Sequence, residues 1–260
     1  MIVFERETSY LMFTQDDHAQ VSKQIAEHCK DEFYYDSTYY EEVLLAIKEH
    51  DRGWIDPDKS PLWNDKLEQP FSFIDYPTDL KTSFYKKGLD EVEEKSKYAC
   101  LLCSLHYSSF VQDADEPAVQ EFWDNEKKRQ ERLYKELGIV DNEEKTETLM
   151  YHLDLLKFSD FLSLFICLHE PGENKEKHPF FKNGFPQLFL FVTEEPIIAS
   201  WESQKVISLS FSPLKSELNI KLPYKEVMKE QIERDGLLKA FKDTPITNRE
   251  ITFKKPVKTS

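Results

Sequence analysis

Five side chains from separate stretches of the chain have the residue types that bind a divalent metal: His18, the adjacent pair His50 and Asp51, His106, and Asp160. Neutral imidazole and carboxylate together form a common ligand set for first-row metals. Residues three and four apart share one face of a helix, and on that basis each candidate points inward. His18 shares a stripe with Val21, Ser22, Ile25 and Cys29, His50 with Val43, Ala46 and Ile47, and His106 with Ala99, Leu102, Cys103 and Phe110. Asp160 stands in the row Leu149, Leu153, Leu156, Leu164 and Cys167. A buried carboxylate is costly unless a cation, a proton or several donors meet it. The five side chains are therefore expected to converge on one buried divalent ion (Mn, Fe, Zn, Ni or Mg). Asp51 would bind or bridge, and His106 would serve as ligand or general base. The competing reading is a metal-free buried hydrogen-bond network, because a single core histidine is more often hydrogen-bonded than ligating. His152, eight residues before Asp160, is the one further histidine that can add to the site.

Other chemistry finds little material. Cys100, Cys103 and His106 form C-x-x-C-x-x-H, but they lie in a continuous apolar helix with no second Cys or His pair at zinc-ribbon spacing. No Walker loop, G-x-G-x-x-G or G-x-S-x-G occurs, and six glycines leave little for a phosphate-cradling loop.

The elements that must position these residues follow from pattern. Ile2 to Arg6 and Tyr10 to Thr14 read as a hairpin, and Thr14 caps a helix running to about Lys30. A second helix fits Ser37 to His50. Gly53 to about Asp90, rich in Pro, Asp and aromatics, reads as a long ordered loop. Helices are expected at Glu91–Val111, from Pro117 to near Gly138, and from Glu143 to His169. Beyond Gln187, strands are expected at Leu188–Val192, Val206–Phe211, Leu218–Leu222 and Ile251–Phe253, with one helix at Lys225–Phe241. The expected fold is mainly α (α+β): a helical bundle with a short N-terminal hairpin and a small C-terminal antiparallel sheet. The helical metal-binding core would span residues 1–186 and the β-rich subdomain residues 187–260.

At 260 residues the chain can bury a sizeable core. Its net charge of -15, from 49 acidic and 34 basic residues, argues against nucleic acid or an anionic membrane as partner. No apolar run is long enough to span a bilayer, and the four cysteines form no disulfide framework, so a reducing cytoplasm is expected. A small-molecule substrate is the expected partner, with a homodimer as the default assembly.

The order His18, His50-Asp51, Asp160 resembles the HD-domain superfamily, whose helical fold holds metal through a His, a His-Asp doublet and a later Asp. Asp51-Arg52-Gly53 continues the likeness, and His106 falls where some members carry extra ligands. More closely, Thr14–Ala19, Ala46–Trp54, Leu101–His106 and Asp160–Leu164 resemble an uncharacterised bacterial group, domain-of-unknown-function family 3891. The HD resemblance implies metal-assisted hydrolysis of a phosphate ester by an activated water. Trp54 replaces the Lys that many HD enzymes carry there, which removes one phosphate contact; Lys48, Arg52 and Arg129 are the remaining candidate cations. Trp54 and Trp63 either wall a planar substrate or pack the loop onto the core. A metal-dependent hydrolase of a small phosphorylated substrate is the leading expectation. The alternatives are a His/carboxylate iron oxygenase and a non-catalytic metal- or metabolite-binding regulatory protein.

Overall fold

The computed structural model describes all residues except 112–115, 174–178, 188, 190–194 and 255–260. The strand expected at Leu188–Val192 falls, apart from Phe189, outside the described residues.

Hairpin strands β1 (Ile2–Glu5) and β2 (Ser9–Phe13) pair antiparallel as their alternating, β-prone residues predict. Helix α1 (Gln15–Glu27) follows, with the Thr14 hydroxyl accepting from the Asp17 amide at its N-cap. A 3-10 turn (Ser37–Tyr39) leads into α2 (Tyr40–Glu49). A short ribbon of β3 (Trp63–Asn64) and β4 (Gln69–Pro70) precedes α3 (Thr78–Glu93), α4 (Lys97–Val111), α5 (Pro117–Glu136) and the long α6 (Glu143–Cys167). After β5 (Ala199–Ser203), β6 (Val206–Leu209) and β7 (Leu218–Met228) come α7 (Lys229–Asp235), α8 (Leu237–Asp243) and β8 (Thr247–Phe253).

The expected helical bundle with a separate small antiparallel sheet is overturned. The fold is α/β: one six-stranded curled sheet, ordered β1-β2-β7-β8-β6-β5, takes in the N-terminal hairpin and the C-terminal strands together. The sheet is mixed, because β6 runs parallel to β8 while the other neighbours are antiparallel. The join is β2 against β7, with Ser9 opposite Met228 and Met12 opposite Lys225. It satisfies backbone groups along an edge that an isolated hairpin would leave open. Side chains alternate across a strand, so β2 serves two cores. Leu11 and Phe13 enter the large core shared with α1 and α6, while Tyr10 and Met12 join Val227, Ile232, Leu237 and Phe241 beneath α7 and α8.

Three further expectations change. The long loop ends at Pro77, because α3 begins at Thr78; its buried face, Thr82, Tyr85, Gly88, Leu89 and Val92, includes a Thr and a Gly that blunt the apolar period. The helix expected at Glu91–Val111 is the end of α3 plus α4, which are separate elements. The helix expected at Lys225–Phe241 begins as strand, since β7 continues to Met228, and is then split by Gly236 at φ +78°.

Two contacts hold the elements that carry the candidate ligands. A 3-10 turn, Arg52–Trp54, packs on α3 through a glycine pair: a Cβ on Gly53 would overlap the Phe84 carbonyl oxygen, and one on Gly88 would lie 2.6 Å from the Gly53 nitrogen. The buried guanidinium of Arg249, on β8, donates to the carbonyl oxygens of Ile166 and His169 at the C-terminal end of α6, over the rings of Phe13 and Tyr224. The obstacle facing a Cβ at position 88 is backbone and cannot swing away. Gly88→Ala should therefore lower stability by about 1–3 kcal/mol, read as a lower urea midpoint at unchanged slope.

Candidate metal centre

All five sequence-predicted residues are buried and meet at one place. His18 comes one turn into α1, where its amide bonds the Thr14 carbonyl, so the cap sets its height. His50 is the C-cap of α2, and Asp51 begins the turn that the glycine pair presses onto α3. His106 comes from α4 and Asp160 from the middle of α6. Asp160 Oδ1 lies 2.9 Å from His18 Nε2 and 3.7 Å from His50 Nε2, and Oδ2 lies 3.4 Å from His106 Nε2. His50 Nε2 is also 3.5 Å from Asp51 Oδ2. Two overlapping groups, His18–His50–Asp51 and His50–His106–Asp160, each have ligand atoms within 4.8 Å of one another and can hold a metal ion.

The hydrogen bonds behind the rings assign their tautomers. Ser163 spends its only hydroxyl hydrogen on the His18 carbonyl at 3.0 Å, so at 2.8 Å from His18 Nδ1 its oxygen accepts and Nδ1 carries the hydrogen. His50 Nδ1 donates to the Ile47 carbonyl at 2.7 Å. In both neutral rings the Nε2 lone pair then points at the carboxylates, and His50 Nε2 is buried with no hydrogen-bond partner. A lone pair facing a carboxylate needs positive charge between them, either a proton or a metal ion. Anchoring one imidazole nitrogen to protein while freeing the other is the arrangement of metal-ligating histidines. His106 differs: its Nδ1 is buried without a partner.

The charge balance of the cluster follows from the same geometry. Burial works against the charged form of Asp160, yet His18 and His50 hold it well below the usual carboxylate range. Burial pulls His50 down, but Asp51 and Asp160 outweigh it and raise the ring to about 9. Burial drives His106 to about 3 and raises Asp51 above its usual value. Without an ion, His50 is thus a protonated counter-charge and His106 is neutral.

Other readings resolve plainly. His152 donates from Nε2 to the Tyr34 carbonyl and accepts at Nδ1 from the Tyr98 hydroxyl, so it is a satisfied core residue away from the site. Cys100 and Cys103 are buried thiols bonded to the carbonyls of Leu89 and Ala46; burial raises Cys100 to about 12, and His106 turns to Asp160 instead of to them. Lys48 pairs with Glu49, Arg52 with Glu49 and Glu91, and Arg129 with Asp90, Glu93 and Glu126. Trp54 packs against Tyr76, Phe84 and Tyr85, and Trp63 packs against the second core; neither walls the site.

The cluster lines a cavity of about 380 Å³, whose lining also includes Gln15, Lys81, Tyr85, Tyr107 and Phe110. Sequence reasoning missed Ser163, Tyr107 and Lys81. Ser163 was within reach, three residues beyond Asp160 on the same helical face. Tyr107, whose hydroxyl bonds Asp51 Oδ1 at 3.3 Å, sits beside His106 with no pattern to mark it. Lys81 belongs to the stretch read as loop.

The raised pKa of His50 sets a pH window. A base whose pKa is higher when folded contributes stability that is complete below the unfolded value, 6.5, and is lost as pH rises through about 9. Chelator-treated protein should therefore lose melting temperature between those limits, and His50→Gln should remove that loss. A flat wild-type profile would show that His50 is not the counter-charge.

With this geometry in place, the comparisons with known proteins can be stated. No curated protein matches the chain, and no solved structure matches it. Residues 1–229 match the family described as "Protein of unknown function (DUF3891)". That match takes in all four segments that carry the resemblance, every candidate ligand, and β7, and so this chain belongs to the DUF3891 family.

Proposed function

We propose that this protein is a metal-dependent hydrolase of a small phosphorylated substrate, with the ion held by His18, His50, Asp51 and Asp160 and with His106 as further ligand or base. The observation that carries this reading is the pair of anchored imidazoles, His18 and His50. Both turn Nε2 toward one buried carboxylate, His18 at 2.9 Å and His50 at 3.7 Å, in the lining of a cavity large enough for a metabolite. A divalent ion bound there would supply Lewis acidity and lower the pKa of a bound water.

The chain's own groups have separable roles. Ser163 and the Ile47 carbonyl fix the tautomers of the two anchored rings. The Tyr107 hydroxyl, hydrogen-bonded to Asp51, steadies the second carboxylate. His106 stays neutral through burial and has an unoccupied ring nitrogen, so it is available as a further ligand.

Elemental analysis of purified protein tests the centre. Wild type should carry a first-row metal near stoichiometrically, while Asp160→Ala should carry almost none. Metal-supplemented wild type should hydrolyse generic phosphomonoesters or phosphodiesters, and His50→Ala should reduce the rate on the order of a hundredfold or more. Absence of metal in the wild type, or an unchanged rate in His50→Ala, would refute the proposal. Bound iron with oxygen consumption and no hydrolysis would replace it with the oxygenase reading.

A further inference from the structure

The cavity is also lined by side chains that metal binding does not use. Lys81, on α3, is half-buried and lines the cavity. Its ammonium donates only to the Phe73 carbonyl, at 3.3 Å, and no carboxylate of the described residues lies within ion-pair distance. Many of this protein's lysines and arginines are paired, as expected for an acidic chain, so an unpaired cation facing a cavity is a costly placement. Burial lowers its pKa by more than the charges of Glu116 and Asp75 raise it. Gln15 also lines the cavity, is buried, and leaves its Oε1 without a partner. The remaining wall is largely aromatic. Tyr85 stacks on Tyr107 with centroids 4.0 Å apart, Phe110 stands edge-on to His106 at 4.7 Å, and Phe161 completes the surface.

We infer that this cavity selects a small substrate with a flat apolar body and a single anionic group, the anion meeting Lys81 and the body lying against Tyr107, Phe110 and Phe161. One cation matches one anion. A polyphosphate would bring several charges to a cavity that offers one ammonium beside two carboxylates, in a chain of net charge -15. Flat apolar bodies gain from aromatic faces, and Gln15 supplies a further polar contact. The inference deepens the hydrolase reading by naming its substrate class, yet the binding it describes needs no turnover.

Calorimetric titration tests it, using benzoate, phenyl phosphate, benzyl alcohol and pyrophosphate as probes. Each is titrated into chelated and metal-loaded protein of three forms: wild type, Lys81→Met and Lys81→Arg. Benzoate or phenyl phosphate should bind wild type and weaken about tenfold or more in Lys81→Met. Lys81→Arg should keep the affinity within about threefold. Benzyl alcohol should not distinguish the variants, and pyrophosphate should bind more weakly than phenyl phosphate. The tighter of the two anionic probes shows whether the anion is a carboxylate or a phosphate ester. Equal affinity of the anionic probes for wild type and Lys81→Met, or pyrophosphate binding as tightly as phenyl phosphate, would overturn the inference. A Lys81 effect in protein that takes up no metal when supplied with it, and hydrolyses nothing under those conditions, would sink the hydrolase reading alone.

Discussion

The arrangement of this protein turns on one buried anion. Asp160 sits midway along α6, a helix apolar on nearly every side, and a carboxylate there demands positive charge or donors from its surroundings. The response comes from three other helices: α1 brings His18, the end of α2 brings His50, and α4 brings His106, all with Nε2 turned toward the same carboxylate. Two of these rings are not placed by Asp160 alone. Ser163 and the Ile47 carbonyl hold two of them from behind, so their orientation does not depend on what lies between them and the carboxylate. Such preorganisation suits a site meant to receive a cation.

The rest of the fold keeps those four helices at fixed separations. α6 is tethered at its C-terminal end by Arg249 from the sheet, a buried guanidinium satisfied by carbonyls and aromatic faces, with no carboxylate of the described residues in ion-pair contact. The doublet's segment is tethered by backbone contact, since only glycines at positions 53 and 88 allow the turn and α3 to come so close. The sheet contributes indirectly. By pairing β2 with β7 it ties the strand leading into α1 to the C-terminal portion, and thus holds the helix that carries His18.

The cavity lining has two characters. Aromatic side chains and one ammonium stand beside the carboxylates and imidazoles, so a ligand would meet both charge and flat apolar surface. That division resembles small-molecule sites in general, where a few polar groups orient a ligand held mainly by apolar walls. Family membership adds no assigned activity, and it leaves this chemistry to be read from the residues themselves.

The sequence by itself determined which polar side chains turn inward, because helical period sorts faces locally: Asp160 in a leucine row and histidines on apolar stripes are readable without coordinates. It also determined the hairpin, the Thr14 cap and the long α6, all set by neighbours within a few residues. What only the tertiary structure decided were relations between distant segments. The single mixed sheet depends on pairing Ser9–Met12 with Lys225–Met228, and strand patterns do not name their partners. The helix α3 was hidden because its buried face uses Thr82 and Gly88, whose value lies in contacts with other elements and not in hydrophobicity. With α3 hidden, Lys81 and the aromatic wall were hidden as well. Short-range periodicity encodes burial, whereas the shape of a cavity is a sum of long-range contacts.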